Sequence, residues 1–289
     1  MTDAVEILRP DDRWWPPQLR DDPSPPDALY VSGDPSVLDR PRVAIIGTRR
    51  SSGAGRQTAR ELGNELADAG VCVVSGLAYG IDAAAHAGAL QGAASPVAVV
   101  GTGLDVLYPA QNAELWRAVA AKGAVLSEYP PGTPPERWRF PARNRIIAAL
   151  ADVVVVVESH AAGGSLHTVE AALERGRTVM AVPGSVRSPA SAGTNALLAA
   201  GSPPARDTTD VLVALGLDAE VWRRGRPSAP ELPDGDAGRV LEAIGFEPSN
   251  LEQIADRLDA PLGPVAVHLL ALESEGWLSQ QAGWYERLR

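Results

Sequence analysis

Six short apolar runs, at 43–47, 71–75, 96–101, 124–127, 152–157 and 178–182, alternate with stretches of helical spacing. The helical stretches fall near 55–69, 82–92, 112–122, 141–150, 164–175, 192–200 and 208–215. Apolar runs without polar alternation suit strands buried on both faces. Strand and helix in strict alternation over residues 41–216 predict an α/β fold: a doubly wound, mostly parallel sheet covered by helices. In such sheets ligands bind beyond the carboxyl ends of the strands, so the loops that follow the runs are where function is expected.

The first of these loops is the most informative. Val43-Ala44-Ile45-Ile46 runs into Gly47-Thr48-Arg49-Arg50-Ser51-Ser52-Gly53-Ala54-Gly55, and Ala59, Leu62, Leu66 and Ala69 then keep helical spacing. A strand, a glycine turn and a helix start aim unpaired backbone N–H groups at one spot, which attracts anions. A tight turn alone also explains glycines here, but not the two arginines inside it. The dinucleotide pattern G-x-G-x-x-G is absent, because Arg49 stands where its second glycine belongs. No acidic residue closes the second run, which enters Ser75-Gly76 instead. A Walker loop is excluded as well, since the only lysine, Lys122, lies far from any glycine loop. Arginines in an open turn suit bidentate contacts to exposed phosphates.

Further loops share that edge. Ser75-Gly76-Leu77-Ala78-Tyr79-Gly80-Ile81-Asp82 follows the second run, with glycines for close approach and Asp82 as a candidate cap. Gly101-Thr102-Gly103-Leu104-Asp105 follows the third, and Glu158-Ser159-His160-Ala161-Ala162-Gly163-Gly164-Ser165 the fifth, the latter another helix-start anion site. Arg137-Trp138-Arg139-Phe140-Pro141-Ala142-Arg143-Asn144-Arg145 packs four arginines and two aromatics into nine residues. That is the composition of a single-strand groove, in which charge follows the backbone and rings stack on bases. The alternative is a solvated loop with both rings in the core. Even then, arginines near a helix start oppose the macrodipole, a cost that points to an anionic partner.

Charge has to be read locally. The chain carries a net −10, yet residues 41–150 hold 11 basic against 8 acidic residues, a net +3, and the remainder holds 15 against 28. Local field decides where a polyanion docks. A single cysteine, Cys72, lies in an apolar run and rules out a disulfide framework. Four scattered histidines argue against a structural zinc site, and no cofactor or metal is expected. No signal-like or membrane-spanning apolar stretch is present, so a cytoplasmic protein without membrane partners is expected.

Residues 1–40, rich in Pro, Asp and Trp, read as an irregular arm with a short strand near Ala28–Val31, packed on the next domain through its aromatics. Residues 217–236, containing Arg223-Arg224-Gly225-Arg226-Pro227, read as a linker. Residues 237–289 read as a winged helix, with Val240, Leu241 and Ile244 on a first helix and a capping box Ser249-Asn250-Leu251-Glu252 opening a second. A third helix spans Leu262 to Glu275 and a hairpin 276–286. With 4 Arg against 8 Asp and Glu from 237 on, and no cation on its third helix, this unit lacks the phosphate-contact term of a duplex reader, and an interaction role is expected.

These motifs together resemble the DprA/Smf family of bacterial DNA-processing proteins. The resemblance rests on Gly47-Thr48-Arg49, the Ser75–Asp82 loop, Gly101–Asp105 with Tyr108-Pro109, and Phe140-Pro141-Ala142-Arg143-Asn144-Arg145. Glu158 with Gly163-Gly164-Ser165, Val182-Pro183-Gly184 and Gly193-Thr194-Asn195 extend it over most of residues 28–289. It implies a Rossmann-like domain that binds single-stranded DNA without being an enzyme, protects it, and loads RecA onto it in transformation and recombination. It also implies a homodimer formed through that domain. Many members carry a helical, SAM-like domain ahead of the arm, and none is read here.

The resemblance places one phosphate at Gly47, Thr48 and Arg49, with Arg50 and the loop residues Ser75, Gly76, Ala78 and Gly80 beside it. Phe140 would meet a base, Arg137 or Arg139 would be the neighbouring cation, and Arg143, Asn144 and Arg145 would line or brace the groove. Gly163, Gly164 and Ser165 complete the expected site. The alternative is an enzyme: Gly163–Glu170 resembles the catalytic loop of LOG-type nucleotide phosphoribohydrolases, with Glu170 as the acid, although Ala162 replaces the proline and Leu166 and His167 interrupt the Gly-Thr pair.

Overall fold

In the computed structural model, which describes residues 5–224, 232–245 and 248–288, the six runs become neighbouring strands of one sheet. The strands are β1 (Glu6–Leu8), β2 (Leu29–Gly33), β3 (Arg42–Ile46), β4 (Cys72–Ser75), β5 (Val97–Val100), β6 (Ala124–Ser127), β7 (Val153–Val156) and β8 (Thr178–Ala181). They are ordered β1-β2-β6-β5-β4-β3-β7-β8. β3 to β8 pair in parallel, whereas β2 runs antiparallel to both β6 and β1. The helices that go with them are α1 (Pro17–Arg20), α2 (Gly53–Asp68), α3 (Ile81–Ala89), α4 (Ala113–Lys122), α5 (Arg139–Leu150), α6 (Leu166–Glu174), α7 (Ala192–Ala199), α8 (Thr208–Ala214) and α9 (Ala219–Arg224).

Alternate residues of each strand point to opposite faces, and both faces are dry. Ala44, Ile46, Val74, Val99, Val154 and Val156 pack with Ile146, Ile147 and Leu150 of α5 and Val169 and Ala172 of α6. Val43, Ile45, Val73, Val153 and Val155 pack instead with Leu62 and Leu66 of α2, Ala84 and Ala85 of α3, and Val211 and Leu212 of α8. Burial on two faces is why these strands read as unbroken apolar runs. Cys72 lies fully buried in the first layer, where loss of solvation pushes its thiol up to about 12.

The N-terminal segment does more than pack. Its strands β1 and β2 extend the sheet beyond β6, with Val31 opposite Leu126, while Trp15 and Leu19 are buried against the α5–α6 layer. Asp22 pins it further through a nearly dry bidentate pair with Arg175, whose Nε and Nη2 donate at 2.6 and 2.8 Å. Burial alone would raise the Asp22 carboxyl, but the Arg175 hydrogen bonds, the Ser24 amide and the nearby guanidinium charges outweigh it and hold it below the usual range.

A carboxyl depressed in the folded state adds stability above its unfolded pKa, and that stability is lost as pH falls through the folded value. Asp22→Asn is therefore expected to cost about 3 kcal/mol at pH 7, as for other broken buried pairs. The deficit should shrink below about pH 4, where the unfolded chain's carboxyl takes up its proton and the folded one, held lower, follows as pH falls further. Urea unfolding at pH 7 and pH 3 measures it, and equal deficits at both would contradict this role.

The described residues divide into two compact units, residues up to 51 with 58–224, and residues 52–57 with 232 onward. The stretch expected to link them starts inside the first unit: α9 buries Ala219 and packs Trp222, three residues on, against the α2–α8 layer. Residues 225–231 of that stretch lie outside the described residues.

In the second unit, α10 (Gly235–Ile244), α11 (Leu251–Leu258) and α12 (Leu262–Ser274) accompany a small sheet ordered β10-β11-β9, formed by β9 (Ser249–Asn250), β10 (Leu278–Gln281) and β11 (Trp284–Arg287). Val240, Leu241, Ile244, Ile254, Leu269, Leu272 and Trp277 form its core. This is a winged helix. Its capping box sits one residue later than expected, between Asn250 and Gln253, because Ser249 is buried and its hydroxyl accepts from Arg257 at 2.8 Å. Among the described residues no helix is long and apolar enough to cross a membrane.

Candidate functional site

From β3 the chain winds outward through β4, β5 and β6, then returns to place β7 and β8 on the other side of β3. The crevice between the carboxyl ends of β3 and β7 is thus the topological switch point of the sheet. Its two walls are tied together. The Thr48 amide donates to the Glu158 carbonyl at 2.8 Å, and Thr48 Oγ1 lies 3.3 Å from His160 Nδ1. Gly80 closes the floor at φ 77°, where a Cβ would stand 2.5 Å from the Thr48 carbonyl oxygen, so a side chain there would push the turn apart.

A groove of about 760 Å³ opens over this point. Of the expected site, it brings together Gly47, Thr48, Arg49, Arg50, Ala78, Arg137, Phe140, Arg143, Asn144, Gly164 and Ser165. Ser75, Gly76, Gly80, Arg139, Arg145 and Gly163 are not among its lining residues. Tyr108, His160, His167 and Thr168 line it without having been singled out as site residues. His160 and His167 lie in loops that read as an anion site and as the alternative catalytic loop, and Tyr108-Pro109 belongs to the family resemblance, but nothing in the sequence assigns these side chains to the groove.

Charge and rings meet at one wall. The Arg49 guanidinium carbon lies 5.4 Å from the centroid of Phe140, and the Tyr108 ring lies 5.3 Å from the same centroid, tilted by 31°. Phe140 is half-buried, so neither solvent nor the core claims it fully. Arg49, Arg50 and Arg137 are exposed, and among the described residues none of the three has a carboxylate within ion-pair distance. In the same groove, the amides of Gly164 and Ser165 have no protein acceptor among the described residues, and they precede α6. Amides at a helix start and unpaired guanidiniums are both anion-binding groups.

The remaining arginines are otherwise engaged. Arg143 is buried beneath the Gly76 loop, and its Nη1 donates to the carbonyl of Gly76 at 2.9 Å and to that of Val99. Burial pulls its guanidinium down to about 10, still charged at neutral pH, with Asp82 as the neighbouring negative charge. A Cβ on Gly76 would fall 2.4 Å from Arg143 Nη2, so glycine is what lets the guanidinium pass. Asp82 itself accepts from the Gly76 amide at 3.2 Å, and burial raises its carboxyl above the usual range against the pull of Arg143. Ser75 is fully buried and donates to the Ile45 carbonyl at 2.6 Å. Arg145 forms a bidentate pair with Glu128 at 2.7 and 3.2 Å, and Arg139 pairs with Glu136 at 3.1 Å.

The groove therefore offers guanidiniums, free amides and the two aromatic rings of Phe140 and Tyr108. Glu170, the acid of the enzyme alternative, is 71% exposed, pairs with His167 at 3.5 Å and does not line it. Among the described residues no three His, Cys, Asp or Glu side chains are grouped to hold a metal.

Residues 6–216 match the family described as DNA recombination-mediator protein A, and residues 224–283 match the DprA winged-helix domain. The chain is 36% identical to Protein Smf of Escherichia coli over 98% of its own length and 77% of that protein. It is 44% identical to the DNA processing protein DprA of Streptococcus pneumoniae over 65% of this chain and 66% of that one. The solved structure of DNA processing protein A from Helicobacter pylori, described for its single-stranded DNA binding mode, superimposes with a TM-score of 0.67 at 32% identity, covering 74% of this chain and 96% of that one.

Proposed function

The chain belongs to the DNA recombination-mediator protein A family, and from that premise we propose that it binds single-stranded DNA in the groove at the β3–β7 switch point. The observation that carries the reading is the wall where unpaired Arg49 lies over half-buried Phe140. A single strand presents phosphates and unstacked bases together, and this wall meets both. Arg49, Arg50 and Arg137 hold backbone phosphates, the Gly164 and Ser165 amides take a further anionic oxygen, and Phe140 stacks on a base. Thr48 and Gly47 shape the turn, Asn144 faces the groove, and Arg143 braces the floor beneath it.

By family resemblance, the protein acts as a binder and not as an enzyme, protects the strand, hands it to a RecA recombinase, and works as a homodimer through the sheet-bearing unit during transformation and recombination. A cytoplasmic location goes with that role. The winged helix, without a cation on α12, takes no duplex.

Phe140→Ala is expected to weaken binding of a labelled single-stranded oligonucleotide about tenfold, within the 1–3 kcal/mol typical of base stacking. The salt slope should stay unchanged, because no phosphate contact is lost. Fluorescence anisotropy over a salt series reads both, and an unchanged affinity would remove Phe140 from the site.

A further inference from the structure

Beside the groove stands an ordered stack that the site above does not use. Trp138 is 57% exposed, yet its ring is held: the indole Nε1 donates to Glu136, and Tyr129 meets it edge-on with centroids 6.3 Å apart at 88°. The Arg139 guanidinium carbon lies 5.1 Å from both ring centroids, and its charge is balanced by Glu136. Tyr129 stays neutral, since burial and the adjacent Glu128 push its phenol up to about 12.

An exposed large aromatic alone means little. Here three features coincide. The ring is fixed in advance, so a stacking partner pays little ordering entropy. A guanidinium bound to an aromatic face suits recognition of an electron-rich planar ligand. The stack is also continuous with the groove, because the residues on either side of the Trp138–Arg139 pair, Arg137 and Phe140, both line it.

We propose that Trp138, backed by Arg139 and Tyr129, is a second base-stacking position that takes a nucleobase just outside the groove, so that the single strand is held over more nucleotides than the groove encloses. The proposal rests on the groove being the single-strand site.

The test is to titrate wild type, Trp138→Ala, Trp138→Phe and Arg49→Ala with oligothymidylates of increasing length. Trp138→Ala should bind the shortest competent oligomers as wild type does, then fall behind by about fivefold or more once the strand reaches past the groove. Trp138→Phe should recover most of that loss, and wild-type tryptophan emission should be quenched only by the longer strands. Equal affinity of wild type and Trp138→Ala at every length, with Arg49→Ala still impaired, overturns the proposal and leaves the groove reading intact. Loss of effect in Arg49→Ala as well overturns both.

Discussion

Arg49→Ala is expected to lower affinity for single-stranded DNA between tenfold and a hundredfold, the largest effect of any exposed residue in the groove. One charge-assisted hydrogen bond to phosphate contributes about 1.5–3 kcal/mol, and Arg49 also covers Phe140. The slope of log affinity against log salt should become shallower by about 0.7, the value for one phosphate contact on a single strand. Folding stability should change by less than about 0.5 kcal/mol, because the side chain is exposed and pairs with no carboxylate among the described residues. Arg50→Ala and Arg137→Ala should shift the slope similarly with smaller losses, neither guanidinium being placed over a groove ring. A binding loss without a change in slope would show that Arg49 orders the loop and does not touch phosphate.

Arg143→Met is expected to fail differently. The substitution strands the Gly76 and Val99 carbonyls and leaves the buried Asp82 carboxyl without its compensating charge. Breaking a buried charge interaction of this kind costs about 3–5 kcal/mol. The sign of its pH dependence also follows. Asp82 is raised already, and without Arg143 it rises further, so the variant's deficit should shrink on acidification as the carboxyl takes a proton. Urea midpoints at pH 7 and pH 5 measure this. A variant that folds with wild-type stability and only binds DNA less well would make Arg143 a direct ligand and not a brace.

That contrast marks where the sequence is legible. Val43–Ile46 and Val153–Val156 announce themselves because parallel strands buried on both faces carry no polar alternation, and α2 because its apolar period holds for more than three turns. The edge strand β1 has no such signal: three residues, only one of them buried. The Asp22–Arg175 pair joins positions 153 residues apart, and nothing local encodes it.

The arginine cluster shows a subtler limit. Composition placed Arg137, Arg139, Arg143 and Arg145 in one groove, but residues two apart on a helix face different ways. α5 therefore turns Arg143 into the floor and Arg145 toward Glu128, and leaves Arg137, just ahead of the helix, at the groove wall. Tyr108 joins the wall from a loop after β5, a convergence only the fold produces. The Ser249–Glu252 reading slipped by one residue because a buried serine answering Arg257 looks, in one dimension, like a cap.

The most direct measurement is photo-crosslinking of an oligonucleotide carrying 5-iododeoxyuridine to the wild-type protein, followed by mass-spectrometric mapping of the attached peptides. Crosslinks at Phe140 or Tyr108 that disappear in Arg49→Ala are the predicted result. Crosslinks confined to residues 232–288, or to the face of the sheet-bearing unit away from the β3–β7 crevice, would contradict the account.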